Sequence, residues 1–207
     1  MTNHYHFITR WRVEGTADQV YALISRPEDF PRWWPSVYLR VDEIAPGQES
    51  GLGRRVRLHT KGWLPYKLLW ESCSREMARP HRLVLEASGD FNGRGIWTFE
   101  DIESPANGAA KGGVMVTFDW ELTADKPLLR YLSFLMKPVF RANHRWAMAR
   151  GEESLKLELA RRHASSPTAR RQIPAPPGPN RTSGWWMGLG AGALIAAFAL
   201  AVRMALR

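Results

Sequence analysis

The sequence has very little cysteine and, beyond Glu158, no acidic residue. Cys73 is the only cysteine among the 207 residues, which excludes an internal disulfide and a metal cluster built on several thiols. Residues 1–160 carry 22 basic and 20 acidic residues, whereas residues 161–207 carry seven arginines and no acidic residue, so most of the formal charge of +9 lies in the C-terminal tail. Because a body with a net charge of +2 lacks a basic surface that could follow phosphates, we expect no nucleic-acid binding.

Motifs of common catalytic and metal sites are missing as well. The chain contains no GxSxG, GxGxxG or HExxH motif and no phosphate-binding loop, and Cys73 has no evident histidine partner in the sequence. His4 and His6 lie two residues apart on one predicted strand, but no cysteine or carboxylate accompanies them, so we expect no metal site. The sequence therefore specifies no nucleophile and no cofactor, and it leaves open whether the protein is an enzyme.

A long uncharged run near the C-terminus predicts a membrane span. Residues 182–202, TSGWWMGLGAGALIAAFALAV, contain no charged residue, and a helix of that length reaches about 30 Å, close to the hydrocarbon thickness of a bilayer. Trp185 and Trp186 lie where an interfacial aromatic belt forms. We predict one transmembrane helix at 185–203. The alternative, a buried C-terminal helix of a soluble fold, is disfavoured because the run has no polar face.

Residues 164–184 are predicted to be a linker in front of this span. They hold five of the fourteen prolines, so we expect neither helix nor packing, and in extended polyproline form the linker would hold a domain tens of ångströms from the lipid. Five arginines precede the span closely and two follow it. This asymmetry favours a cytoplasmic N-terminal domain and attraction to membrane lipids. Gly188 and Gly192 form one GxxxG motif, which alone does not predict a dimer through the span.

Residues 1–163 have the pattern of one α+β domain. Alternation of apolar and polar residues predicts seven strands, at 4–14, 37–45, 53–61, 66–77, 82–90, 94–103 and 113–123. Thr16 is the expected N-cap of a helix after the first strand, and helical periodicity returns across 127–163, interrupted at Pro138. One face of the last helix carries Phe140, His144, Met148, Gly151, Leu155 and Leu159. We expect an antiparallel sheet that packs one face against this helix, with an apolar pocket between them.

The order of these elements resembles the START-like helix-grip superfamily (SRPBCC), which includes polyketide cyclase/dehydrase and lipid-transport proteins. The resemblance covers residues 4–162 and rests on the opening segment FITRWRVEGTADQVYALISRPEDFPRWWPSV and the closing helix NHRWAMARGEESLKLEL. It implies an antiparallel sheet of about seven strands curled around a long C-terminal helix, with a hydrophobic cavity for a lipid, quinone or polyketide-like ligand. A family of this kind implies a fold and a ligand type more than a reaction, and a membrane-anchored tail is not one of its general features.

The candidate pocket residues are large side chains that strand alternation and the helix stripe direct inward, together with two tryptophans from the turn after the first helix. They are Trp70, Phe118, Trp120, Phe140, His144, Met148, Trp33 and Trp34. For Trp33 and Trp34 we expect a position at the pocket mouth or in the lipid interface.

Two polar residues are candidates for proton transfer. His144 lies on the inward stripe, where it would bind a ligand or relay a proton, or else be a core histidine bonded to backbone. If Glu100 and its neighbours Ile96 and Thr98 face the pocket, burial would raise the pKa of this carboxyl. If Trp97 and Phe99 face inward instead, Glu100 is a solvated residue. Alternation alone leaves both registers open.

Three functions are compatible with this sequence. The favoured one is membrane-tethered binding or transfer of a lipophilic small molecule, because a tether keeps exchange with the bilayer local. The second is a polyketide cyclase/dehydrase-like enzyme that uses the same pocket, with His144 or Glu100 transferring protons. The third is a ligand-free membrane scaffold.

Overall fold

The computed structural model describes residues 4–64, 66–103, 112–123 and 133–180. Seven of the described segments form one antiparallel sheet with the strand order β1-β7-β6-β5-β4-β3-β2. The strands are β1 (His4–Glu14), β2 (Tyr38–Ala45), β3 (Arg55–Lys61), β4 (Lys67–Ala78), β5 (Arg82–Gly89), β6 (Asn92–Ile102) and β7 (Gly113–Thr123). Each predicted strand is present, and its limits agree with the prediction to within two residues.

Four α-helices and one 3-10 helix accompany the sheet in the described residues. They are α1 (Ala17–Ile24), the 3-10 helix Pro27–Asp29, α2 (Phe30–Trp33), α3 (Ser133–His163) and α4 (Pro167–Gln172). α1 begins at the predicted N-cap, where the Thr16 hydroxyl accepts a hydrogen bond from the Gln19 amide and the Gln19 side chain accepts one from the Thr16 amide. This reciprocal pairing satisfies two amides at the helix start.

α3 is the long helix that packs against the concave face of the sheet. Leu155 and Leu159 are buried as the helical stripe predicted. The predicted interruption at Pro138 is wrong, because α3 runs through that residue from Ser133 to His163. Pro138 lies only five residues after the helix start, so the amide hydrogen bond that proline cannot make is lost near one end.

The core beside α2 is built around three buried tryptophans. Trp11, Trp33 and Trp34 are each no more than 2% exposed, and the rings of Trp11 and Trp34 meet edge to face at 5.6 Å. Gly151 of α3 lies directly against this group, since a Cβ there would be 2.3 Å from Cζ2 of Trp34. The expectation that Trp33 and Trp34 reach the lipid interface is therefore wrong: α2 turns both side chains into the core.

A buried carboxylate joins α3 to α2. The side chain of Glu158 is only 4% exposed and accepts hydrogen bonds from Arg32 at 3.0 Å and from Arg162 at 3.2 Å. Because both arginines are partly exposed, their charges stay solvated while they compensate the buried one. This cluster fixes the end of α3 that lies farthest from Ser133.

The segment after α3 contains a short helix and is hydrogen-bonded to the domain, which corrects the prediction that it forms no helix. α4 forms because the Ser166 hydroxyl accepts a hydrogen bond from the Ala169 amide and Pro167 occupies the first helical position, where a proline is favourable. Farther along, the Arg161 guanidinium donates to the carbonyl of Pro174. The remaining residues, 181–184, and the predicted span at 185–203 lie outside the described residues. Among the described residues, no helix is long and apolar enough to cross a membrane.

Candidate ligand-binding cavity

A cavity of about 230 Å³ lies between the concave face of the sheet and α3. One end of it is formed by Gly62 and Tyr66 of the β3–β4 connection and by Phe140 and Asn143 of α3. We call this the loop end. Tyr66 lines the cavity although 37% of the residue is exposed, so the cavity approaches the protein surface there.

The wall formed by β4, β6 and β7 is aromatic. Trp97 and Phe118 stack with their ring centroids 4.0 Å apart, and Phe118 stacks on Trp120 at 5.3 Å. Trp70 and Phe91 extend this wall, each within 6.0 Å of Trp120. Stacked and edge-to-face rings are a favourable arrangement that also leaves little freedom for each ring to move. The cavity therefore presents a broad, fixed apolar surface, which we call the aromatic wall.

Two local features allow these rings to lie close to the sheet. Gly95 leaves the space that Trp120 and Phe118 occupy, since a Cβ at this position would lie 2.8 Å from the first ring and 2.9 Å from the second. The indole Nε1 of Trp70 donates to the hydroxyl of Thr60 at 3.1 Å. That hydrogen bond satisfies a buried donor and fixes the ring orientation.

His144 is one of the ionisable groups that line the cavity, together with Lys61, Asp90 and three tyrosines. Its Nε2 lies 3.2 Å from Oγ1 of Thr9, and its ring stacks on Phe7 with centroids 4.4 Å apart. Burial in this apolar setting lowers the pKa of His144 to about 4. The imidazole is therefore neutral near pH 7, and because a hydroxyl both donates and accepts, Thr9 matches either tautomer.

Asn143 ties α3 to the loop end and was not singled out by the sequence pattern. Its Oδ1 accepts hydrogen bonds from the backbone amides of Trp63 at 3.0 Å and Leu64 at 3.4 Å. Gly62 permits this close approach, because a Cβ there would lie 2.1 Å from the same oxygen. The contact therefore holds the β3–β4 connection over one end of the cavity.

Two tyrosines add polar groups at the loop end. The hydroxyl of Tyr5 is buried and has no hydrogen-bond partner among the described residues, and burial raises the pKa of this phenol. Tyr66 is exposed on one side, but its partial burial at the cavity, with a smaller contribution from Tyr5, raises its pKa to about 12. Both phenols are thus protonated near pH 7, and Tyr5 offers a donor that the described residues leave unused.

Comparison with known families identifies the domain. Residues 6–160 match the family model for polyketide cyclase / dehydrase and lipid transport proteins. The chain belongs to this family. A comparison with curated proteins gives no match.

Solved structures show the same fold at low sequence identity. The Zhui aromatase/cyclase from Streptomyces sp. R1128 superposes with a TM-score of 0.57 at 16% identity, covering 84% of this chain and 99% of that one. TTHA0849 from Thermus thermophilus superposes with a TM-score of 0.56 at 17% identity, covering 73% of this chain and 97% of that one. The di-domain ARO/CYC BexL from the BE-7585A biosynthetic pathway superposes with a TM-score of 0.53 at 17% identity, covering 79% of this chain and 50% of that one. These similarities establish the helix-grip fold and no reaction.

In this polyketide cyclase/dehydrase and lipid transport domain, most of the predicted pocket residues come together at one cavity. Those that line it are Trp34, Trp70, Phe118, Trp120, Phe140, His144 and Met148. Trp33 does not line it and is fully buried in the core. Contact of the lining residues with a ligand stays a prediction. Thr9, which the sequence analysis did not select, lies opposite His144 because alternation along β1 puts it on the same side as Tyr5 and Phe7.

Glu100 lies outside the cavity. It is exposed, whereas its strand neighbours Trp97 and Phe99 are buried. The stacking of Trp97 on Phe118 fixes this register of β6, so the alternative in which Glu100 transfers protons inside the pocket is wrong. On the outer face of the sheet, His6 is hydrogen-bonded to Asp119 at 2.7 Å. Over the described ranges, no three histidine, cysteine or acidic side chains gather into a group that could hold a metal.

Proposed function

We propose that this domain binds a lipophilic small molecule in the cavity and exchanges it with a membrane to which the chain is attached by residues 185–203. The observation that carries the proposal is the aromatic wall, which faces polar groups at the loop end. Apolar ligands are bound in pockets of this kind, where a few polar groups fix the orientation. Family membership supports the same class of ligand.

The polar groups indicate which end of the ligand they would contact. His144 is neutral near pH 7 because burial lowers its pKa to about 4, and the Tyr5 hydroxyl stays protonated. Neither group would compensate a buried charge on the ligand. We therefore expect a molecule with an uncharged hydroxyl, phenol or carbonyl near His144 and Tyr5, and with its rings or chains against the aromatic wall.

Attachment to a membrane rests on the sequence of the tail. The uncharged run at 182–202 has the length of a bilayer-spanning helix, and the arginines in front of it favour a cytoplasmic location of the domain. A tether of this kind raises the local concentration of the cavity at the bilayer without any further contact. A lipophilic ligand would then exchange without crossing bulk water.

The test is native mass spectrometry of the full chain released from lipid nanodiscs, followed by organic extraction of bound molecules. The informative variant is Ala147→Phe, because Ala147 of α3 lines the cavity and a phenyl ring there would fill it. The matched control is Ala149→Phe, which makes the same change on an exposed position of the same helix. We expect a stoichiometric apolar ligand in the wild type and the control, and its loss in Ala147→Phe.

Two results would contradict this function. If the wild type carries no ligand and takes up neither fluorescent fatty acids nor quinones, the ligand-free scaffold becomes the better interpretation. If Ala147→Phe retains the ligand as well as Ala149→Phe does, the bound molecule lies elsewhere and the cavity is not its site.

A second candidate function is proton transfer during cyclisation or dehydration of a polyketide-like substrate. The imidazole of His144, which lines the cavity and is hydrogen-bonded to Thr9, favours it, because a neutral imidazole accepts a proton from one atom and returns it to another. A pKa of about 4 makes His144 a weak base near pH 7, which ranks this function second. His144→Gln would abolish turnover and retain ligand under this hypothesis, whereas simple binding predicts no turnover in either protein.

A further inference from the structure

The described part of the tail returns from the far end of α3 to the loop end of the cavity. α3 ends beside the β1–α1 turn, where His163 lies 3.9 Å from the position that a Cβ of Gly15 would take. After α4, the carbonyl of Pro174 accepts a hydrogen bond from Arg161, and the carbonyl of Asn180 accepts one from Lys61 at 3.2 Å. Lys61 is the last residue of β3 and adjoins the loop end.

The dimensions fit an extended segment that runs back along α3. Asn143 marks the loop end and Arg161 the far end, and the 18 residues between these positions rise about 27 Å in a helix. From Pro174 to Asn180 there are six residue steps, or about 19 Å in polyproline conformation. The long side chains of Arg161 and Lys61 bridge the remaining distance. We call residues 174–180 the strap, and prolines at 174, 176, 177 and 179 stiffen it.

The strap ends at Asn180, beside the loop end and a few residues before the predicted span. Only five residue steps separate Asn180 from Trp185, the first residue of the predicted span, and a fully extended chain covers about 17 Å in five steps. The loop end therefore lies within about that distance of the point at which the chain would enter the lipid. The opposite end of the domain, at the β1–α1 turn, lies the length of α3 farther away.

The side chains at the loop end match a membrane surface. Trp63 is half-buried, Tyr66 and Lys67 are exposed, and Arg141 is exposed on the first turns of α3. Tryptophan and tyrosine prefer the interfacial layer of a bilayer, and each nearby lysine or arginine adds about 1 kcal/mol of attraction to anionic lipid. Asp90 also lies at this end, where one carboxylate oxygen accepts a hydrogen bond from the Leu69 amide.

We propose that the loop end is a membrane-contact surface, held by the strap so that the cavity faces the bilayer through which ligand enters and leaves. This inference rests on the proposed membrane attachment and adds an orientation to it. The partner is a lipid surface that contains anionic lipid. The strap, rather than the length of the linker, determines which end of the domain meets that surface.

Labels at two ends of the full chain test the orientation. In a Cys73→Ser background, Tyr66→Cys places a fluorophore at the loop end and Glu49→Cys places one in the exposed turn before β3, at the far end of the sheet. Each protein is reconstituted into vesicles of equal parts phosphatidylcholine and phosphatidylglycerol, with a nitroxide on some headgroups. We expect strong quenching of the label at 66 and little at 49. Replacing the four strap prolines by serine should reduce this difference.

The outcomes separate the two proposals. If the chain floats with the vesicles but the labels at 66 and 49 are quenched equally, the orientation is wrong while the membrane attachment stands. If the serine variant keeps the full difference in quenching, the strap is not what orients the domain, and the inference is overturned in that respect. If the chain does not float with the vesicles, the attachment itself fails and the orientation fails with it.

Discussion

Replacing His144 by glutamine tests the environment of the cavity through the pH dependence of folding. His144 is partly buried, stacks on Phe7 and is hydrogen-bonded to Thr9, and this burial lowers its pKa from 6.5 to about 4 in the folded chain. The unfolded chain has the ordinary value. Between these two pKa values, the unfolded state binds a proton that the folded state does not, so stability falls as the pH decreases. Above pH 6.5 both states are neutral at this residue and it adds no pH dependence.

The magnitude follows from the two pKa values. Linkage predicts that the free energy of unfolding falls by about 2 kcal/mol between pH 7 and pH 5. The total loss is about 3 kcal/mol once the pH is below 4 and His144 is protonated in both states. Glutamine keeps an amide that can hydrogen-bond Thr9 but has no titration in this range. All other residues are the same in the two proteins, so the comparison isolates the effect of position 144.

The assay is urea unfolding of the full chain in lipid nanodiscs at pH 7 and pH 5, followed by tryptophan fluorescence. We expect the free energy of unfolding of the wild type to fall by about 2 kcal/mol more than that of His144→Gln between these two pH values. Equal losses in the two proteins would show that His144 is solvated, and the description of its apolar surroundings would be refuted. A larger loss in the variant would have the wrong sign for a buried neutral imidazole.

Two further predictions concern the packing of α3. Gly151→Ala should lower the free energy of unfolding by about 1–3 kcal/mol, because its Cβ would overlap the Trp34 ring. The control Gly178→Ala, which has open space around the new methyl group, should leave the urea midpoint unchanged. Equal midpoints in both variants would contradict the close packing of Gly151 against Trp34. Glu158→Gln should cost about 1–3 kcal/mol, since it weakens the charged hydrogen bonds to Arg32 and Arg162. An unchanged urea midpoint in that variant would show that the buried cluster contributes nothing to stability.

The strands were predictable because each has one face toward the cavity and one toward solvent. In β7, Val114, Val116, Phe118 and Trp120 are buried in strict alternation, and this period is visible without any knowledge of the partner strands. β6 is different, since large apolar side chains occur on both of its faces. Its register is decided by the stack of Trp97 on Phe118, a contact with another strand that no local pattern contains.

The polar contacts of the cavity were only partly predictable. The spacing along α3 placed His144 inward, as the structure has it, but Asn143 takes its role from the amides of Trp63 and Leu64, about eighty residues earlier in the chain. Proline content predicted an unpacked linker, yet carbonyl groups of that segment accept hydrogen bonds from Arg161 and Lys61. Backbone carbonyls are present at every residue, so composition carries no signal for which of them will be bound.

The hydrogen bonds that hold the strap change what the tail would do for the cavity. As a free polyproline segment, residues 164–184 would extend about 65 Å and let the domain sample many orientations above the bilayer. With the chain fixed at Asn180, five residue steps remain before Trp185, which is about 17 Å when fully extended. The local concentration of a tethered site rises steeply as the tether shortens, and a short tether also limits rotation. Limited rotation would keep a cavity that opened away from the bilayer turned away from it, so the strap beside Lys61 favours exchange only if ligand enters and leaves at the loop end, as proposed.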